Sequence, residues 1–148
     1  MWGFLLKYLK KIMPLKITLK PDEKVIISGA VIKNAGNKAS SLIIENDVPV
    51  LRQSDIIKEE EANSPCSKIY FIVQLMYIDK ENLSNYHKIY WELVKDVLKA
   101  APSVLNLIEQ ISRQVLKSNY YKALKITKKL IEYEQEIINH AKESISSL

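Results

Sequence analysis

The chain is poor in the residues from which most small active sites are assembled. Its 148 residues include one cysteine, two histidines and three glycines. The single Cys66 excludes an internal disulfide and any zinc site built on several cysteines. As a nucleophile it would need a nearby base and an electropositive setting, and the acidic run before it argues against that. Gly3, Gly29 and Gly36 are too scattered to form a glycine-rich phosphate loop. His87 and His140 stand far apart, each without a second ligand one helical turn away, so no metal site is expected, and no cofactor either. Long apolar runs are also missing. The longest is about ten residues, roughly half of what a membrane-spanning helix requires.

Charge excludes less than its total suggests. The net charge is +5, but Lys7, Lys10 and Lys11 contribute +3 of it within the first twelve positions. Residues 13–58 carry +2 (seven basic, five acidic), 59–79 carry −3 (one basic, four acidic) and 80–148 carry +3 (eleven basic, eight acidic). Bulk charge is therefore weak support for a nucleic-acid partner, and such a reading must rest on local patches. Residues 1–12, MWGFLLKYLKKI, lack the order of an export signal, in which basic residues precede a longer apolar core. They read either as a short membrane-touching segment or as an extension from an upstream start codon, with Met13 the functional first residue. The second reading is preferred.

A chain of 148 residues can bury roughly 70% of its unfolded surface, enough for one domain or two small modules. From Met13 the pattern has a period of two. Leu15, Ile17 and Leu19 alternate with Lys16, Thr18 and Lys20, which describes a strand with one buried face and one basic face. Pro21 to Lys24 reads as a turn, Val25 to Ile32 as a second strand with a bulge at Ser28–Gly29, and Asn34 to Lys38 as another turn. Ser41 to Glu45 is a third strand. Val48 to Gln53 is the last, placed at an edge by Pro49, which lacks a ladder N–H. Residues 13–58 thus predict a small antiparallel sheet of four or five strands, marginal without a cover.

The stretch from Glu59 to Asp79 is the joint. Between Ile69 and Ile78 only Gln74 is neither apolar nor aromatic, so the segment must lie between other layers. Ser64 as a cap and Pro65 in the first turn make it a helix, the natural cover for the sheet. Glu59-Glu60-Glu61 reads as solvated charge complementing that helix's positive end, not as a general base. Helical spacing then returns three times. Leu83, Tyr86, Tyr90, Leu93, Val94 and Val97 form one stripe, ended by Pro102, and Val104, Ile108, Ile111 and Val115 form the next. The last runs from Tyr120 to about Ile145, with Ala123, Ile126, Leu130, Tyr133, Ile137 and Ala141 inward. The expected class is α+β: a small antiparallel β-sheet module, then residues 59–148 as an antiparallel bundle of about four helices.

No credible catalytic group emerges, and the chain is expected not to be an enzyme. Two binding surfaces remain. Lys16, Thr18 and Lys20 on the first strand, with Arg52 on the edge strand, have the chemistry to meet phosphates and grip a base edge. Edge lysines also keep sheets from pairing with one another, and spacing alone leaves the two readings equal. The second surface is Lys122, Lys125 and Lys129 on the last helix, with Lys128 nearby and Tyr120 and Tyr121 at its start. Glu132 and Glu136 continue that face, which favours an ordinary solvated helix.

Several blocks have a familiar order. Pro14-Leu15-Lys16, Gly29-Ala30-Val31-Ile32-x-Asn34, Leu51-Arg52-x-x-Asp55-Ile56, Ile69-Tyr70-Phe71, Gln74-Leu75-Met76-Tyr77 and Tyr120-Tyr121-Lys122-Ala123-Leu124 closely resemble the flagellum biosynthesis repressor family, FlbT. The likeness runs from Met13 nearly to Ile138, and it supports Met13 as the start because members look as though they begin Met-Pro-Leu. The helical half is richer in Lys and Ile than typical members. The resemblance implies a cytoplasmic bacterial regulator acting after transcription. Such proteins associate with the 5′ untranslated leader of flagellin messenger RNA, promote its decay, and work alongside a second small flagellar regulator, FlaF. In some lineages they favour flagellin production instead.

The β-part is also similar to the carbon storage regulator family of small RNA-binding proteins. The likeness lies in the opening strand, the Lys20-Pro21-Asp22-Glu23-Lys24 turn, and a closing strand ending in Arg52 and followed by Asp55-Ile56. It implies that Arg52 is the principal contact to exposed RNA bases, assisted by Lys16, Thr18 and Lys20, and it makes a homodimer an expectation. The function expected is therefore a nonenzymatic RNA-binding repressor whose partner is the flagellin mRNA leader, with no DNA and no membrane partner. The alternative is a helical adaptor that binds flagellin or a FlaF-like regulator and affects RNA only indirectly. The small charge of the body and its many tyrosines suit that alternative.

Overall fold

The computed structural model describes residues 14–147; the expectation about residues 1–12 and Met13 lies outside the described residues. Five strands come first: β1 (Leu15–Leu19), β2 (Lys24–Ile27), β3 (Ala30–Lys33), β4 (Ser40–Ile44) and β5 (Val50–Arg52). Four helices follow: α1 (Pro65–Ile78), α2 (Leu83–Ala100), α3 (Leu105–Leu116) and α4 (Tyr120–Ser146). The fold is α+β, with small antiparallel sheets preceding the helices, and the chain divides into two units between Ile56 and Ile57.

In the first unit β1 and β4 form an antiparallel ribbon, and β3, β2 and β5 form a second antiparallel sheet in that order. In β1 Ile17 and Leu19 are buried and Lys16 and Thr18 exposed, as the alternation demands, but Leu15, expected on the buried face, is 45% exposed at the strand's first position. Ile17 and Leu19 of the ribbon meet Val25 and Val50 of the sheet in a buried cluster, flanked by Ile27, Leu42, Ile44 and Val48. The ribbon therefore covers this face of the sheet. Each layer is too small to be stable alone, and alternation presents an apolar face of each to the other.

Turn chemistry sets the connections. The Glu23 N–H donates to the Lys20 carbonyl at 3.1 Å, with Pro21 second and Asp22 third at φ 64, the pattern of a type II turn. Val25 to Ile32 is not one bulged strand. Ser28 (φ 50) and Gly29 (φ 86) are both left-handed and form a two-residue hairpin that sets Ile27 opposite Ala30. Right-handed strand twist favours this type of reversal. β5 lies at the sheet edge, as Pro49 requires.

In the second unit α1 packs against α2 and α4, and α4 also packs against α3. The apolar run thus has neighbours on two sides. Ser64 Oγ accepts from the Ser67 amide at 3.1 Å and Ser67 Oγ accepts from the Ser64 amide at 2.8 Å, a reciprocal cap. The carboxylate found bonded at this terminus is that of Glu134 on α4, which accepts from the Cys66 amide at 3.2 Å. Gln74 is 3% exposed and bonds both backbone groups of Ile57, accepting from its N–H and donating to its carbonyl, each at 2.9 Å. The one polar residue of the run is therefore a fully paired buried amide.

The stripes on α2 and α3 bury Tyr90, Val94, Val97, Ile108, Ile111 and Val115. On α4 the inward row stops early. Ala123, Leu124, Thr127 and Leu130 are buried, but Ile137 and Ala141, expected inward, are exposed. At 27 residues, α4 greatly outruns α3 with 12 and α1 with 14. Its periodicity continues past the end of its partners.

Candidate nucleic-acid interface

Arg52 closes β5 opposite Val25, which places it on the same face as Val50 and the buried cluster. The strand ends there, so the long side chain emerges at the rim and is exposed. Its Nη2 donates a 3.0 Å hydrogen bond to the main-chain carbonyl of Thr18. Among the described residues β1 pairs with β4 alone, so this carbonyl lies on the ribbon's open edge. Arg52 thus sits where a further strand would bond. That bond engages one of its five N–H donors, and the side chain is exposed.

Lys16 and Thr18 project from the outer face of the ribbon, and Lys20, also exposed, follows as the chain enters its turn. Thr18 Oγ1 lies 3.4 Å from Ser41 Oγ, and Lys16 stands opposite Ile43, which is 63% exposed. The structure therefore joins Arg52 to Thr18 through the backbone, while the side chains of Lys16 and Thr18 share a surface with Ser41 and Ile43. Sequence reasoning missed the last two. The alternation Ser41-Leu42-Ile43-Ile44 marks 41 and 43 as outward, but only the register sets them beside β1. A cation, two hydroxyls and an exposed apolar side chain are a chemically suitable set for phosphate and base edge together.

Asn34 holds the end of this strand. Its Nδ2 donates to the carbonyls of Leu19 at 3.0 Å and Lys38 at 2.8 Å, while Oδ1 accepts from the Gly36 amide at 3.0 Å. The Lys20 amide donates to Glu23 Oε1 at 3.0 Å. These bonds order the backbone from which Lys20 projects.

Lys122, Lys125 and Lys129 are exposed and share one face of α4, in the other unit. Lys125 Nζ lies 5.1 Å from the ring centre of Tyr121, whose ring is 5.8 Å from that of Tyr77. Tyr120 is not on that face. It is buried, with its hydroxyl 3.1 Å from His87 Nε2, because neighbours on a helix point about 100° apart. The face thus has one tyrosine, already covered by a lysine.

Among the described residues no group of three His, Cys, Asp or Glu side chains could hold a metal ion, and no helix is long and apolar enough to cross a membrane. Burial, aided by the adjacent Glu134 carboxylate, pushes the Cys66 thiol up to about 12. A group so protonated is a poor nucleophile near neutrality.

Comparison with known proteins adds identity to this geometry. The family described as "Flagellar protein FlbT" matches residues 15–138. An FlbT protein of Bradyrhizobium diazoefficiens is 42% identical over 125 residues, covering 84% of this chain and 85% of that relative. The flagellum biosynthesis repressor protein FlbT of Caulobacter vibrioides is 36% identical over 137 residues, covering 91% of this chain and 96% of that relative. No solved structure matches. The length of the match and the closeness of these relatives show that the chain belongs to the FlbT family of flagellar proteins.

Proposed function

We propose that this protein is a nonenzymatic, cytoplasmic, RNA-binding repressor of flagellum biosynthesis. It binds unpaired bases in the 5′ untranslated leader of flagellin mRNA and promotes degradation of that message. The repressor role is supported by the names of the relatives. The observation that carries the RNA reading is Arg52, exposed at the open edge of β1 and oriented by the Thr18 carbonyl, beside the outward Lys16, Thr18 and Lys20. An arginine fork held at a strand edge offers two bonds to a base edge, and the lysines offer charge to the phosphates. Sequence-specific readout of this kind needs bases in loops or at ends, which duplex RNA hides.

Filter binding of the purified protein to leader RNA tests the reading. Retention of RNA by the protein alone, weakened by salt, is the expected result. Retention only after a FlaF-like regulator or flagellin is added would favour the adaptor role instead.

A further inference from the structure

The helical unit carries a surface that the RNA reading does not use. A groove of about 490 Å³ runs between α1 and α2, with Phe71, Ile72 and Leu75 on one wall and Ile89 and Leu93 on the other. Phe71 and Leu75 are one turn apart, as are Ile89 and Leu93, and all four are half-buried. A trough of this length accepts an apolar ridge about two turns long, presented at i, i+3, i+4 and i+7.

Its ends are acidic. The Glu59–Glu61 turn and Ala62 border one end, and Glu59 lines the groove itself. At the other end Tyr86 lines the groove and donates at 2.6 Å to Asp79, which also accepts from Asn82 at 3.1 Å. Those bonds hold the Asp79 carboxyl below its ordinary range, so it stays charged. Glu81 follows. Lys68 also lines the groove, and Lys58 and Lys80 adjoin the two acidic turns; these three cations are outnumbered by the five carboxylates. The side chains of Glu59 and Glu60 are exposed and take part in no hydrogen bond or ion pair among the described residues.

We propose that this groove docks a basic amphipathic helix of a partner polypeptide, its apolar ridge in the trough and its Lys and Arg side chains against Glu59–Glu61 and Asp79–Glu81. Charge selects this occupant. The same carboxylates repel nucleic acid and anionic membranes. Among the described residues, the exposed ridge Ile137, Ile138 and Ile145 on α4 suits the groove poorly as the contribution of a second copy, because it is flanked by Glu134, Glu136 and Glu143 against the single Lys142. The inference does not rest on the RNA reading.

A fluorescein-labelled helical probe peptide with leucines at i, i+3, i+4 and i+7 and flanking lysines, titrated with the full chain and followed by anisotropy, tests it. Saturable binding is expected. It should weaken roughly tenfold with Leu75→Lys and roughly threefold or more with Glu59→Gln, Glu60→Gln and Glu61→Gln combined, three exposed changes that spare the packing. A probe with glutamates for lysines should fail to bind, and leader-RNA affinity should be unchanged in both variants. Two results would overturn the proposal: equal affinity of the parent and the triple glutamine variant, or equal affinity for both probes. Concentration-dependent self-association that Leu75→Lys abolishes would give the groove to a second copy and overturn it as well.

Discussion

The guanidinium of Arg52 and the main-chain carbonyl of Thr18, 34 residues apart, are joined by a 3.0 Å hydrogen bond at an exposed site. The bond aims the arginine along the open edge of β1, and its removal separates folding from recognition. Arg52→Ala leaves the carbonyl to water, so stability should fall by only about 0.5–1 kcal/mol. Leader-RNA affinity should fall about 10- to 100-fold, the effect of losing a base-contacting arginine. Arg52→Lys restores charge without the fork and should recover only part of the loss. Filter binding beside urea unfolding reads both quantities, and unchanged affinity in folded Arg52→Ala would remove this site from consideration.

Salt dependence separates the two basic faces. Lys16→Glu and Lys20→Glu should each lower the slope of log affinity against log salt by about 0.7, the value for one lost phosphate contact on a single strand. Lys122→Glu and Lys129→Glu should leave the slope as it is, because that face reads as an ordinary solvated helix. A larger effect from the α4 pair would move the RNA to the other unit.

The Gln74 amide satisfies both backbone groups of Ile57 from a position 3% exposed. Gln74→Leu keeps the volume and orphans an N–H and a carbonyl, each costing about 1–3 kcal/mol when buried. A loss of about 2–4 kcal/mol in urea unfolding is expected. A loss below about 1 kcal/mol would mean that water reaches the vacated amide's partners.

Ser28 holds φ 50 in the hairpin between β2 and β3. Left-handed backbone disfavours most side chains by about 1 kcal/mol and suits Asn or Gly. Ser28→Asn should therefore raise the melting temperature by a few degrees, and Ser28→Val should lower it. A rise with Val would contradict the positive φ.

Alkali should unfold the helical unit through two buried groups. Burial, with Glu134, raises the Cys66 thiol from 9.0 to about 12, and burial raises the Tyr90 hydroxyl from 10.0 to about 12 against a smaller opposing effect of its Ser112 bond. Both stay protonated in the folded chain where the unfolded chain ionises. Their contribution is complete below about pH 9 and is lost as pH climbs toward 12. The urea midpoint should drop across that window, and Cys66→Ala should make the drop shallower. Thiol labelling at pH 8 should be slow until urea is added.

How much of this was legible differs from residue to residue. The caps at Ser64 and Pro65, the outward Lys16 and Thr18, the edge position after Pro49 and the stripes of α2 and α3 all depend on neighbours within one or two turns, which a linear pattern records. The Ser28–Gly29 reversal was half legible: the glycine marked a special conformation, but only strand pairing distinguishes a bulge from a hairpin. Tyr120 and Tyr121 read as a pair until the helix turned one of them inward to His87.

The sequence by itself determined the periods, the element types, the family and the inward and outward residues of β1 from Lys16 to Leu19, since all of these are recorded locally or in the order of short blocks. Tertiary structure decided that Ile43 stands beside Lys16, that Arg52 reaches Thr18, that Gln74 serves Ile57 and that α4 outlasts its neighbours. The reason is distance along the chain. Contacts such as Arg52 with Thr18 and Glu134 with Cys66 join residues 34 and 68 positions apart, and register and packing choose such pairs where side-chain pattern does not.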